Sequence, residues 1–148
     1  MITRVSASLT IINDHPRKTV SHITGMLGIE PTNTWEYGDP WPSKTRSDRL
    51  RSQGVWRFEE ARTIAAPEDP HGMESLVRLA ERFEPVSARL EELSNEFDIR
   101  VGMFDASDST QAGFYIGKET MRRLGLLCAA FVPDIYLSED LYVSDLDG

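Results

Sequence analysis

The side chains best equipped for recognition chemistry gather between positions 35 and 62, where Trp35, Tyr37, Trp41, Lys44, Arg46, Arg49, Arg51, Trp56, Arg57 and Arg62 occur. An arginine presents a planar fork of donors that matches a carboxylate or phosphate, and a tryptophan offers a broad face for stacking. Residues 41–62 carry six basic and three acidic side chains, whereas the rest of the chain carries ten basic and twenty-one acidic ones. The candidate binding residues are therefore Trp35, Trp41, Lys44, Arg46, Arg49 and Arg51. Together they would hold an anionic small ligand or a protein surface, which is recognition and not bond-making.

Bond-making chemistry finds little support in the spacing. His15, His22 and His71 are scattered and the chain has one cysteine, so no paired ligand motif suggests a metal, and no cofactor is expected. Cys128 lies among Leu126, Leu127, Ala129 and Ala130, which reads as a small buried hydrophobe with a neutral thiol. There is no nucleophile elbow, Walker loop or GxGxxG fingerprint. Glu59-Glu60 and Glu91-Glu92 are adjacent pairs, which point apart on a strand or helix and read as solvated faces. Asp105 and Asp108 fall in one turn that lacks the glycine-centred loop and terminal glutamate of a calcium site. No catalytic residue is assigned.

The formal net charge of −8 opposes binding to nucleic acid or an anionic membrane and favours a cationic partner. A single cysteine cannot form an internal disulfide, no apolar run reaches the ~20 residues of a membrane span, and the N-terminal residues show no secretion signal. These features predict a cytoplasmic protein.

The elements that must position the cluster follow from periodicity. Residues 2–12 alternate, with Val5, Ala7, Leu9 and Ile11 on one face and Arg4, Ser6, Ser8 and Thr10 on the other, as in a half-buried strand. Val20, Ile23 and Leu27 recur at helical spacing before Gly28 and Pro31. A short strand around Trp35–Tyr37 leads into a long loop over 38–53, and Gly54–Glu59 forms a second firm strand. Met73, Leu76, Ala80 and Phe83 form one helical stripe and Val86, Leu90 and Leu93 another, divided at Pro85. Phe97, Ile99, Val101 and Met103 alternate as a strand, residues 105–110 make a turn, and Gly113–Ile116 is expected to return as its hairpin partner. A helix over 118–124 stopped by Gly125 and a closing strand over 129–137 complete the order β-α-β-β-α-α-β-β-α-β. The fold class is α+β, a mostly antiparallel sheet with helices on one face. Leu27-Gly28 and Leu124-Gly125 recur in similar surroundings, which predicts pseudo-repeated, ferredoxin-like halves. One domain spans 1–137, followed by an acidic tail over 138–148.

Several segments carry a resemblance. They are Ser6-Ala-Ser-Leu-Thr-Ile11, Ile23-Thr-Gly-Met-Leu-Gly-Ile-Glu-Pro-Thr32, Trp35, Gly38-Asp39, Gly54-Val-Trp56, Leu124-Gly125 and Asp134-Ile-Tyr136. In combination they resemble a bacterial family of small proteins, domain-of-unknown-function family 4279. The resemblance spans nearly the whole chain and implies a shape without an activity.

Composition and the lack of catalytic motifs together predict a non-catalytic protein-interaction domain. One concrete form is an immunity-type protein whose acidic surface neutralises a cationic toxin. The alternative is a small anionic-ligand-binding domain or enzyme that uses the 38–53 loop. An uncapped strand would also allow a homo-oligomer.

Overall fold

The computed structural model describes residues 2–42, 49–107 and 113–137. Its elements are β1 (Ile2–Asn13), α1 (Ile23–Leu27), β2 (Asn33–Trp35), β3 (Gly54–Glu59), β4 (Thr63–Ile64), α2 (Glu74–Phe83), α3 (Ser87–Ser94), β5 (Asp98–Ser107), α4 (Lys118–Gly125) and β6 (Ala130–Leu137). Among the described residues they form a six-stranded mixed sheet of order β2-β3-β1-β5-β6, with β4 added to β1. Every pairing is antiparallel except β5 with β6, which α4 joins as a crossover. The α+β class and the mostly antiparallel sheet are thus both present.

The alternation of β1 sorts the molecule into two sides. Val5, Ala7, Leu9 and Ile11 are fully buried, and they pack with Trp56, Val101 and Met103 beneath the helices. Leu76, Leu79, Phe83, Leu90 and Leu93 supply the helical half of that core. Trp56 meets Phe83 edge-on at 6.3 Å, and its indole Nε1 donates to Thr24 Oγ1 at 3.0 Å. Ser75 Oγ donates to the Val5 carbonyl, tying the start of α2 to the central strand. Gly28 closes α1 at φ 69°, a left-handed end that glycine reaches without strain. Pro85 sits in a single 3₁₀ turn between α2 and α3, so the two stripes belong to two helices.

Four local expectations are corrected. Residues 113–117 form no strand; Phe114 and Ile116 pack on the core instead, and the flank of β5 is occupied by β6. The β5 strand continues through Ser107, so Asp105 is a strand residue facing the core and not a turn residue. Cys128 is exposed at φ 54°, because the chain turns there and Leu127 takes the buried place. Glu60 is buried and receives a two-pronged contact from Arg82, at 2.9 Å from Nε and 3.2 Å from Nη2, so it is no solvated carboxylate. As for the two proposed halves, β1-α1-β2 and β5-α4-β6 are both parallel strand–helix–strand passages, the first with β3 lying between its strands and the second with its strands paired directly. The expected acidic tail lies outside the described residues.

One inward position departs from the apolar pattern. Asp105 stands in line with Ile99, Val101 and Met103, opposite Val5, with no exposed surface. Neither carboxylate oxygen has a hydrogen-bond partner among the described residues. Burial pushes this carboxyl up to about 7, with the charge of Asp134 adding to the effect.

Candidate functional site

The helices cover one side of the sheet, and the register fixes what the other side presents. Arg57 and Arg100 lie directly opposite Thr10, one on each flank. The next row holds Glu59, Ser8 and Gly102, continued by Val132 on β6. Beyond it Ser6 faces Phe104, which in turn neighbours Asp134. Short side chains on the central strand between longer ones on its neighbours leave a groove of about 260 Å³ along this face. Gly102 lies close against this floor: a Cβ there would stand 2.9 Å from Ser8 Oγ and displace that hydroxyl.

The charges of the groove are partly engaged. Arg100 pairs with Asp98 through Nε at 2.9 Å and Nη2 at 2.7 Å, and Ser6 Oγ donates to Glu59 Oε1 at 3.0 Å. Arg57 is half-buried and makes no ion pair among the described residues. Its Nε is shut off from solvent without a hydrogen-bond partner among the described residues.

Residues 38–42 and 49–53 border the same face. Trp35 lies in register with Val55, and Val55 with Ile12, so all three belong to the side away from the helices, where Val55 and Ile12 are themselves buried. Residues 38–41 run against 49–51 in a short ladder: Gly38 N donates to Arg51 O, Arg51 N to Asp39 O, and Trp41 N to Arg49 O. The Arg51 guanidinium lies between two indoles, 4.0 Å from the ring of Trp35 and 3.8 Å from that of Trp41. This sandwich is a cation–π clamp that pins the segment to the sheet edge. Of the sequence-derived candidates, Trp35, Trp41 and Arg51 therefore come together, and Arg49 is exposed beside them. Lys44 and Arg46 lie outside the described residues.

The clamp makes a prediction. Arg51→Leu removes the cation from both rings and should lower stability by about 1–2 kcal/mol, with a red-shifted tryptophan emission as Trp35 and Trp41 loosen. Urea melts followed by fluorescence measure both effects. Unchanged stability and emission would mean that the stack does not hold the segment.

Sequence reasoning singled out the clamp and overlooked the groove. The signal for the groove was present in the hydroxyl face of β1, with Ser6, Ser8 and Thr10 at alternate positions. The polar side of an amphipathic strand ordinarily faces water and attracts no notice. Arg100 joins Arg57 only through the antiparallel pairing of strands about ninety residues apart in sequence.

A larger cavity of about 540 Å³ lies on the helical side, lined by Pro70, His71, Met73, Leu76, Tyr115 and Thr120 among others. Asp69 at its rim is committed to capping, accepting from Met73 N and Glu74 N at 3.0 Å each. No group of histidine, cysteine and carboxylate side chains suited to holding a metal ion occurs among the described residues. No helix there is long and apolar enough to cross a membrane.

No curated protein and no solved structure matches the chain significantly. A family match does extend over residues 3–138, covering every strand described above but for the first residue of β1. The chain belongs to the family described as Domain of unknown function (DUF4279).

Proposed function

We propose that this protein is a non-catalytic binding domain whose working surface is the uncovered face of its sheet. The observation that carries the proposal is the asymmetry of that sheet. One side is sealed by α1, α2 and α3, and the other keeps a groove floored by Ser6, Ser8, Thr10 and Gly102 between two arginines. Function-bearing surfaces are concave and carry a few convergent polar groups. The tryptophan–arginine clamp at the edge supports the same reading, because it holds Trp41 and Arg51 against Trp35 beside the groove as a preformed wall.

A second reading is favoured by a different feature. Glu91, Glu92 and Glu96 are exposed at the end of the helical layer, and none of them forms an ion pair among the described residues. With the net charge of −8, that patch suits a basic protein, as an immunity-type protein would need to neutralise a cationic toxin.

One experiment separates the two. A tyrosine at position 8 would lie across Gly102, a cross-strand arrangement that sheets tolerate well, and would fill the groove. The expected result is a partner co-purified from the native cell by the wild type, lost with Ser8→Tyr and retained when Glu91 and Glu92 are both replaced by lysine. Retention by Ser8→Tyr together with loss from the lysine variant would overturn the sheet-face proposal in favour of the acidic patch.

A further inference from the structure

We infer that the row Arg57–Thr10–Arg100 is a receptor for the carboxylate of a small organic acid whose apolar body lies along Phe104 and Val132. The inference rests on the sheet-face reading and names what that face would hold. Neighbouring strands lie about 4.8 Å apart, so two arginines on either flank of one strand have Cα atoms roughly 10 Å apart. Their side chains are long enough to converge over the hydroxyl between them. Both arginines and Thr10 line the same groove. Arg57 is the decisive member, because its Nε is withdrawn from solvent and finds no acceptor among the described residues. A buried donor without an acceptor is costly, and a ligand oxygen would relieve that cost.

The surrounding charges select the kind of anion. Asp98 holds Arg100 and neutralises part of its field. Glu59 and Asp134 stand further along the face in the rows of Ser8 and Ser6. Among the described residues, one arginine without an ion pair and two acids nearby suit a monoanion and disfavour phosphate, which is substantially dianionic at neutral pH. A planar carboxylate also matches the planar donor fork of arginine. Phe104 and Val132 are 37% and 45% exposed on the groove wall, offering apolar contact to the rest of the ligand. The volume of about 260 Å³ limits that ligand to a small molecule.

Calorimetric titration of the full chain with benzoate, inorganic phosphate and benzylammonium tests this. Benzoate should bind saturably and more tightly than the other two. Arg57→Gln and Arg100→Gln should each weaken it by at least about tenfold without a matching fall in thermal midpoint, while Arg62→Gln, an exposed arginine off this row, should leave it unaltered. Phosphate or benzylammonium binding as tightly as benzoate would overturn the inference, as would benzoate binding that neither glutamine substitution weakens. If benzoate fails to bind while Ser8→Tyr still abolishes partner retention, the carboxylate assignment falls and the sheet-face reading stands. If Ser8→Tyr is also without effect, both fall.

Discussion

Asp105→Asn is expected to stabilise the protein at pH 8 and to leave it nearly unchanged at pH 4. In the folded chain this carboxyl holds its proton up to about 7, against an ordinary value near 3.8. The folded state therefore binds more protons than the unfolded state between those values. Stability contributed by the group is fully present below about pH 4 and is lost as pH rises towards 7 and beyond. At 1.36 kcal/mol per unit, the loss approaches about 4 kcal/mol at most. Other groups titrate over the same range, so the informative quantity is the difference between wild type and variant in urea melts at pH 4, 6 and 8. That difference should grow with pH and level off above about 7. Asparagine is still a buried polar group without an assigned partner, so it removes the cost of charge and not that of polarity. Asp134→Asn should give a smaller shift in the same direction, since repulsion from Asp134 is the lesser cause. A difference that stays flat with pH would show that Asp105 is hydrated in solution.

Trp56→Ala is expected to cost about 3–5 kcal/mol, the range for truncating a large buried aromatic side chain. Trp56 is 1% exposed, and it joins three elements at once: β3, which bears it, α1 through Thr24, and α2 through Phe83. Its loss leaves Phe83 with Phe58 as its remaining ring partner, at 5.6 Å. Trp56→Phe should cost less but still leaves the Thr24 hydroxyl without its donor. The consequence reaches the other side of the sheet, because Val55 and Arg57 flank Trp56 on the same strand and face outwards. Chemical denaturation measures the stability, and benzoate affinity measured on Trp56→Phe reports whether Arg57 keeps its position. A cost below about 1 kcal/mol for the alanine variant would contradict the placement of Trp56 in the core.

Most of the fold was legible because periodicity records burial. Val5, Ala7, Leu9 and Ile11 announced an inner face, and the stripes through Leu76 and Phe83 and through Leu90 and Leu93 announced two helices beneath it. What escaped the sequence were features decided by partners distant along the chain. Gly113–Ile116 has strand-like composition, yet β6 pairs with β5 and leaves those residues to pack by their side chains alone. Asp105 follows Met103 at the same alternation, but its charge suggested a turn, and only the continued pairing to Val5 and Ala106 to Arg4 shows the strand running on. Glu60 looked solvated because the arginine that meets it, Arg82, comes from a helix twenty-two positions later.

The candidate site was half legible for a related reason. Trp35, Trp41 and Arg51 attracted attention as types suited to binding, and the structure uses them first on one another. The cation is occupied by two rings, so the cluster builds a wall instead of offering a free anchor. Arg57, from the same basic stretch, is left with an unanswered donor and turns towards the groove because its position alternates with Trp56 and Phe58. Short hydroxyl residues gave no warning of a site, since their contribution is the space they leave. That space has meaning only once the longer neighbours on β3 and β5 are in place.

The most direct test of the sheet-face account is a footprint by thiol labelling. In a Cys128→Ser background, single cysteines at Thr10 and at Glu92 report on the two sides of the molecule, and their rates of maleimide modification are compared with and without the co-purified partner. The account predicts that the partner slows labelling at position 10 by at least about tenfold and leaves position 92 unchanged. Protection at position 92 with free reaction at position 10 would contradict it.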